Sequence, residues 1–185
     1  MRQRNPVGIS RITVRRRPGS RHLGLLDLGG RTIPVALGRS GIAADKREGD
    51  GRTPAGCWRI ERLLYRGDHG PRPKTRLPAR PLRPADGWCD APSDRRYNRP
   101  VTLPMSGAQE VSHERMWRAD HLYDLVLVLD HNQRPRVAQR GSAVFVHLAR
   151  PGFSPTEGCV ALRRGDLIRL LAGLRPGAML CIAPG

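Results

Sequence analysis

Short apolar runs separated by glycine and proline are the feature that most restricts the fold of this chain. The 185 residues include 21 glycines and 17 prolines, and no uninterrupted apolar run exceeds six residues. Runs this short, bounded by turn residues, are typical of β-strands. A membrane-spanning helix needs about 20 apolar residues, so none is predicted. We therefore expect a mostly β fold with minor α content.

Eight segments predict strands because apolar residues are concentrated or alternate within them. One C-terminal helix is predicted to follow Asp166, the expected N-cap. The apolar residues that recur there at helical spacing are Leu167, Ile168, Leu170, Leu171 and Leu174. A second, weaker helix is predicted over residues 112–117. The predicted strands are 11–15, 23–28, 32–37, 57–65, 123–129, 143–147, 159–162 and 178–182.

The segment 66–100 differs in composition from the rest of the chain. It contains seven prolines and eight arginines and shows no hydrophobic period. A loop of this length in a compact domain is usually either functional or disordered. We therefore expect a single domain over residues 1–185, in which residues 66–121 form an Arg/Pro-rich insertion or lid over one face. A surface insertion with no role explains the same composition.

The chain is strongly basic, with 33 basic residues against 16 acidic ones and a net charge of +17. This excess favours a polyanionic partner, either nucleic acid or an anionic polymer of the cell envelope. Aromatic residues make up only 4% of the chain, which leaves little surface for stacking single-stranded bases. Charge alone does not separate these partners from a simple need for solubility.

The four cysteines show no C-x-x-C motif, and the histidines 113, 121 and 131 are spaced too widely to share a helical face. No metal site and no cofactor are therefore predicted. Cys57 and Cys181 lie in apolar runs, where a cysteine usually behaves as a small buried hydrophobic residue. The sequence neither predicts nor excludes a disulfide between any two cysteines.

One pair of segments carries residues suited to acyl transfer. An apolar strand ends in His147, and a turn-rich loop then leads through Thr156-Glu157-Gly158-Cys159 into a second apolar strand. If the two strands are neighbours, His147 and Cys159 meet at one edge, where an imidazolium lowers the pKa of a thiol. A hydrogen-bonded strand-end histidine and an inert buried thiol explain the same spacing.

The order strand, histidine, loop, Thr-x-Gly-Cys, strand resembles the signature of the YkuD-type L,D-transpeptidases. The turn Thr53-Pro54-Ala55-Gly56 resembles the Thr-Pro-x-Gly turn of that family. The stretches 97–100 and 114–124 are similar to a subgroup of short homologues, so the resemblance covers roughly residues 10–183. It implies an L,D-transpeptidase-like β-sandwich with one C-terminal helix.

The resemblance also implies roles for individual residues. Cys159 is the expected nucleophile, His147 its base, and Gly158 with Cys159 the expected oxyanion hole. A backbone carbonyl, which the sequence cannot name, often orients the histidine in this family. The residues expected to contact substrate are Thr156, Arg163, Tyr123, Asp120 and Trp117.

The implied activity is the cross-linking of peptidoglycan stem peptides through a thioester on Cys159. Hydrolysis of muropeptides in the manner of an L,D-carboxypeptidase and non-enzymatic binding of nucleic acid are the alternatives. The resemblance implies a location in the cell envelope or periplasm, although the basic segment 1–20 has no apolar stretch typical of a signal peptide. We expect a monomer.

Overall fold

A computed structural model describes residues 8–28, 30–105 and 111–185. Strands dominate the described part of the chain, which confirms the predicted mostly β class. The strands are β1 (Ile9–Arg16), β2 (Leu23–Asp27), β3 (Thr32–Ala36), β4 (Ile42–Ala43), β5 (Thr53–Pro54), β6 (Gly56–Tyr65), β7 (Ala79–Pro81), β8 (Asp86–Cys89), β9 (Arg99–Thr102), β10 (His113–Arg115), β11 (Leu125–Leu129), β12 (Phe145–Leu148), β13 (Val160–Leu162) and β14 (Leu174–Ile182). One α-helix, α1, spans Arg164–Gly173, and a 3₁₀ turn spans Pro151–Phe153.

The main sheet has nine strands in the order β11-β12-β13-β3-β2-β1-β14-β6-β7. It closes on itself because the long strand β6 pairs with β14 over its first half and with β11 over its second half. The closed sheet wraps around one large apolar core, to which alternate residues such as Val14, Leu127, Val146 and Val160 contribute. The architecture is β-sandwich-like, as expected.

Helix α1 covers one end of this core with Leu167, Leu170 and Leu171. The predicted N-cap was wrong, since Arg163, three residues earlier, occupies the N-cap position. The helix ends at Gly173, so Leu174, which was expected to lie in it, begins β14 instead. Asp166 lies instead in the first turn, where its carboxylate accepts a hydrogen bond from Arg169 at 3.1 Å. A carboxylate in the first turn is favourable because it faces the positive end of the helix dipole.

The segment after residue 66 is not a structureless loop. Strand β7 pairs in parallel with β6, and a separate three-stranded sheet has the order β10-β8-β9. The predicted helix over residues 112–117 was wrong, because residues 113–115 form β10 and pair with β8. Strands of three or four residues are too short to show a period in sequence, and pairing with a distant strand satisfies their backbone groups.

A second apolar cluster lies between this segment and the outer face of the main sheet. Trp88 and Met116 pack there against Phe145 of β12 and Val126 and Val128 of β11. Phe145 lies two residues before His147, so both side chains are on the same face of β12. The segment therefore covers the face of the sheet that carries His147; whether it moves as a lid stays a prediction.

Cys57 and Cys181 are directly opposite each other on β6 and β14 and form a disulfide. The expectation of a small buried hydrophobic residue was wrong for Cys57, which is exposed on the outer face. Cys181 is only 8% exposed and is therefore buried, as expected. Cys89 is a free, buried thiol. Within the described ranges, no helix has the length and apolar character needed to cross a membrane.

Candidate active site

His147 and Cys159 lie on adjacent strands with their side chains on one face. Strands β12 and β13 are parallel, with His147 opposite Ala161 and Val146 opposite Val160. This register places Cys159, immediately before β13, beside Phe145. The Phe145 N–H donates to the Cys159 Sγ at 3.4 Å. Both His147 and Cys159 line a single cavity of about 640 Å³.

The protonation of His147 follows from its one main-chain partner. Its Nδ1 lies 2.9 Å from the carbonyl oxygen of Leu148, and because a carbonyl only accepts, Nδ1 carries the hydrogen. The lone pair is therefore on Nε2. Burial lowers the pKa of His147 to about 4, so its imidazole is neutral at pH 7. Leu148 thus supplies the orienting carbonyl that the sequence could not name.

The Cys159 thiol is also uncharged in the resting protein. Burial raises its pKa to about 12, against a smaller lowering effect of the Phe145 N–H. The side chain is half-buried, and its S–H donates to the Ala143 carbonyl at 3.4 Å. The resting site therefore holds a thiol beside a neutral imidazole, not the thiolate and imidazolium that the sequence suggested. A reaction here requires proton transfer as the substrate binds.

The turn before Cys159 is fixed by Thr156. The Thr156 hydroxyl donates to the Cys159 carbonyl at 2.7 Å and accepts from the Gly158 N–H at 3.2 Å. Gly158 has a φ of +134°, and a Cβ at this position would lie 2.7 Å from the Arg52 carbonyl oxygen. The glycine therefore permits the close approach of the Arg52 carbonyl oxygen.

The Thr53-Pro54-Ala55-Gly56 turn packs directly behind the turn that precedes Cys159. Thr53 is fully buried, and its hydroxyl accepts the Gly38 N–H at 2.8 Å. Gly38 in turn bridges to Thr156, with the Thr156 N–H bonded to Leu37 and its carbonyl bonded to Arg39. The two motifs that carried the resemblance, nearly 100 residues apart, are thus joined through one segment of main chain.

The family profile described as the L,D-transpeptidase (YkuD) catalytic domain matches residues 11–182, nearly the whole chain. The chain belongs to this family. A comparison with the curated proteins finds no match. Membership in the L,D-transpeptidase family accounts for the β-sandwich-like fold and for the resemblance found in the sequence.

The other residues expected to bind substrate in this L,D-transpeptidase domain divide into two groups. Tyr123 and Thr156 line the cavity, whereas Trp117, Asp120 and Arg163 do not. Trp117 is covered by the Arg66 guanidinium at 3.7 Å, and Asp120 is paired with Arg118 and Arg150. Arg163 lies over the Phe153 ring at the start of α1. These three side chains hold neighbouring segments in place.

Several charged residues of the cavity were not predicted as site residues. Glu114 and Arg118 form an ion pair at 3.0 Å, and burial raises the pKa of Glu114. Asp90 presents a buried carboxylate oxygen without a partner among the described residues. Glu114 and Arg118 lie in the stretch that resembled short homologues, but nothing in the sequence places them beside Cys159. The cavity lining also includes Lys46, Glu48, Arg150 and Glu157.

One cluster in the described ranges has side chains of the kind that bind metals. Ligand atoms of His69, His121 and Asp124 lie within 4.8 Å of one another. The Arg66 guanidinium can only donate to His69 Nε2 at 3.0 Å, so His69 Nδ1 carries a hydrogen and donates to Asp124 at 2.6 Å. Asp124 is also paired with Arg164. The donor atoms are thus already occupied, and the cluster fixes the segment after Tyr123.

Proposed function

We propose that the protein is an L,D-transpeptidase that cross-links peptidoglycan stem peptides through a thioester on Cys159. One observation carries the proposal: the Cys159 thiol and the buried His147 imidazole lie on the same face of paired strands and line one cavity. The family assignment supplies the substrate class, since the profile that matches is that of an L,D-transpeptidase catalytic domain.

The first half-reaction uses the uncharged pair. Because Nδ1 donates to Leu148, the free Nε2 of His147 takes the thiol proton as the sulfur attacks a stem-peptide carbonyl. The resulting imidazolium then donates that proton to the departing amine as the C–N bond breaks. A thioester remains on Cys159, and His147 is neutral again.

The negative charge that develops on the carbonyl oxygen needs a main-chain donor. The Gly158 N–H is already bonded to Thr156 within the turn, so the Cys159 N–H is the better candidate of the two amides. A donor of this kind contributes on the order of 3 kcal/mol to the stabilisation of the transition state. Of the two residues expected from the sequence to form the oxyanion hole, Gly158 and Cys159, only Cys159 is then assigned a donating amide.

The second half-reaction transfers the acyl group to an amine of another stem peptide. The amine attacks the thioester carbonyl, the C–S bond breaks, and His147 returns one proton from the amine to the sulfur. The same step with water in place of the amine gives a hydrolysed stem peptide. The ratio of the two products distinguishes a transpeptidase from a carboxypeptidase.

The disulfide and the charge support a location in the cell envelope. Disulfides such as Cys57–Cys181 persist mainly in oxidising compartments outside the cytoplasm. The net charge of +17 complements an anionic wall polymer as well as nucleic acid. The half-buried Cys159 thiol and the buried His147 imidazole at one cavity favour the wall polymer as the partner, because a nucleic-acid-binding role gives neither side chain a use.

Incubation with purified muropeptides, followed by mass spectrometry of both protein and products, tests the proposal. We expect an acyl adduct on Cys159 and a cross-linked dimer, and neither with Cys159→Ala. The matched control is Cys89→Ala, which removes the other free thiol and should keep the adduct. An adduct of unchanged yield in Cys159→Ala would refute the proposal, as would wild-type protein that forms no adduct.

A further inference from the structure

A second cavity, of about 380 Å³, lies beside the catalytic cavity. It is formed by the start of β6 and by residues 130–140, which connect β11 to β12. The residues that line it include Trp58, His131 and Arg140. None of these side chains has a part in the acyl transfer described above.

Lys46 separates the two cavities and lines both of them. A Cβ built on Gly141 would lie 2.8 Å from the Lys46 Cγ, and one built on Gly158 would lie 3.6 Å from its Cε. Burial is the main influence on both Cys159 and His131, and the Lys46 charge adds a smaller effect that lowers the pKa of each. The Lys46 side chain therefore lies between the turn at Gly158 and the second cavity.

The cations of the second cavity differ in how far they are already paired. Lys46 is paired with Asp50, and Arg134 lies 3.4 Å from Glu61. Arg140 is exposed and has no acidic partner within the described part of the chain. Its planar guanidinium is suited to a carboxylate, which it binds through two parallel hydrogen bonds.

The histidine of this cavity is neutral and incompletely bonded. Burial, with a smaller contribution from Lys46, lowers the pKa of His131 to about 4. Its ring is 6% exposed and contacts Trp58 edge-on, and its Nδ1 has no partner among the described residues. The cavity thus offers one uncommitted cation, an aromatic wall and a neutral polar ring, a combination that suits a peptide carrying a carboxylate.

We propose that the second cavity binds the acceptor peptide of the transfer reaction, with a carboxylate of that peptide on Arg140. The inference rests on the proposed function, because the donor occupies the catalytic cavity as a thioester while the acceptor approaches. Because Lys46 lines both cavities, one peptide can extend from the second cavity past this side chain to the thioester. Its amine then forms the new amide bond as the C–S bond breaks.

The first experiment measures the ratio of cross-linked dimer to hydrolysed donor at an acceptor concentration below saturation. Arg140→Gln should lower this ratio about tenfold and raise the acceptor KM about tenfold, because a charged hydrogen bond is lost. Arg31→Gln is the matched control: it removes the same charge from an exposed arginine of the β2–β3 turn. An Arg140→Gln ratio within twofold of the Arg31→Gln ratio would overturn the proposal.

The second experiment measures binding without chemistry, by calorimetry in a Cys159→Ala background. The probes are an uncross-linked stem peptide and the same peptide with its carboxylates amidated. Amidation should weaken binding about tenfold when Arg140 is present and leave it unchanged in Arg140→Gln, because the two changes remove one interaction. An equal effect of amidation with and without Arg140 would overturn the acceptor site.

The two experiments separate the two hypotheses. If wild-type protein forms no adduct on Cys159, the proposed function fails, and the carboxylate site is then judged by calorimetry alone. If the adduct forms but the ratio of cross-linked dimer to hydrolysed donor is the same in Arg140→Gln and Arg31→Gln, the proposed function stands and the acceptor site is refuted.

Discussion

The Trp88 indole packs edge-on against the Phe145 ring, with 5.1 Å between the two ring centroids. This contact joins the three-stranded sheet of the insertion to the strand that carries His147. The backbone amide of Phe145 also donates to the Cys159 sulfur. The basic, proline-rich segment is thereby coupled to the position of the Cys159 sulfur.

Truncation of this contact should destabilise the protein and slow acylation together. Trp88 is 1% exposed, so Trp88→Ala should reduce the free energy of unfolding by about 3–5 kcal/mol. Urea denaturation measures this loss, and labelling of Cys159 measures the rate. Trp117→Ala is the comparison, because this half-buried ring packs under a guanidinium outside the cavity. Equal losses of stability in both variants would contradict a special role for Trp88.

Reduction of the Cys57–Cys181 disulfide should lower the melting temperature. The bond closes a loop of 124 residues, and the chain-entropy treatment assigns about 4–5 kcal/mol to a loop of this size. We expect the double variant Cys57→Ser, Cys181→Ser to melt at the same temperature as reduced wild type. Reductant should then have no effect on the double variant. A wild-type melting temperature that is insensitive to reductant would exclude a structural role for the bond.

Acylation should remain active well below the ordinary pKa of histidine. The pKa of His147 is lowered to about 4, so the imidazole stays unprotonated, and able to accept the thiol proton, from pH 7 down to about pH 5. The rate of Cys159 acylation should be nearly constant over that range and fall only as the pH approaches 4. A stopped-flow pH profile checks this. A midpoint near 6.5 would instead indicate a solvated imidazole.

Gly158→Ala should displace the turn from Thr156 to Cys159. The φ of +134° disfavours any other residue, and the new Cβ would lie 2.7 Å from the Arg52 carbonyl oxygen. A shift of about 1 Å at a reacting atom costs about 100-fold in rate, and the labelling rate of Cys159 measures it. Gly70→Ala is the matched control, because Gly70 has a φ of +152° and nothing within 4 Å of its Cβ. A comparable loss in both variants would mean that the close contact is irrelevant.

The sequence predicted the elements that are built from continuous apolar runs. Strands β11, β12 and β13 followed from the apolar residues that they bury. The structure pairs β12 with β13, which was the condition for the expected meeting of His147 and Cys159. Family resemblance, not periodicity, singled these two residues out from other strand-end histidines and buried thiols.

The remaining features depend on contacts between distant parts of the chain. The disulfide requires the register of β6 against β14, which joins positions 124 residues apart. Lys46 lies between two cavities only because residues 130–140 fold back beside it. The strands of the insertion are three or four residues long, and a local period cannot be detected at that length. Such features arise from tertiary pairing, which no local pattern encodes.

The atom closest to a Cβ at position 158 would be a main-chain atom, the Arg52 carbonyl oxygen, with the Lys46 side chain further away. The stretch of backbone that adjoins Arg52 holds Gly38 and Thr156. Every amino acid supplies the same carbonyl, so saturation mutagenesis should find position 52 permissive in its side chain and positions 38 and 158 restricted to glycine. The location of the Cys159 turn is in this sense insulated from the chemical identity of the side chain at position 52.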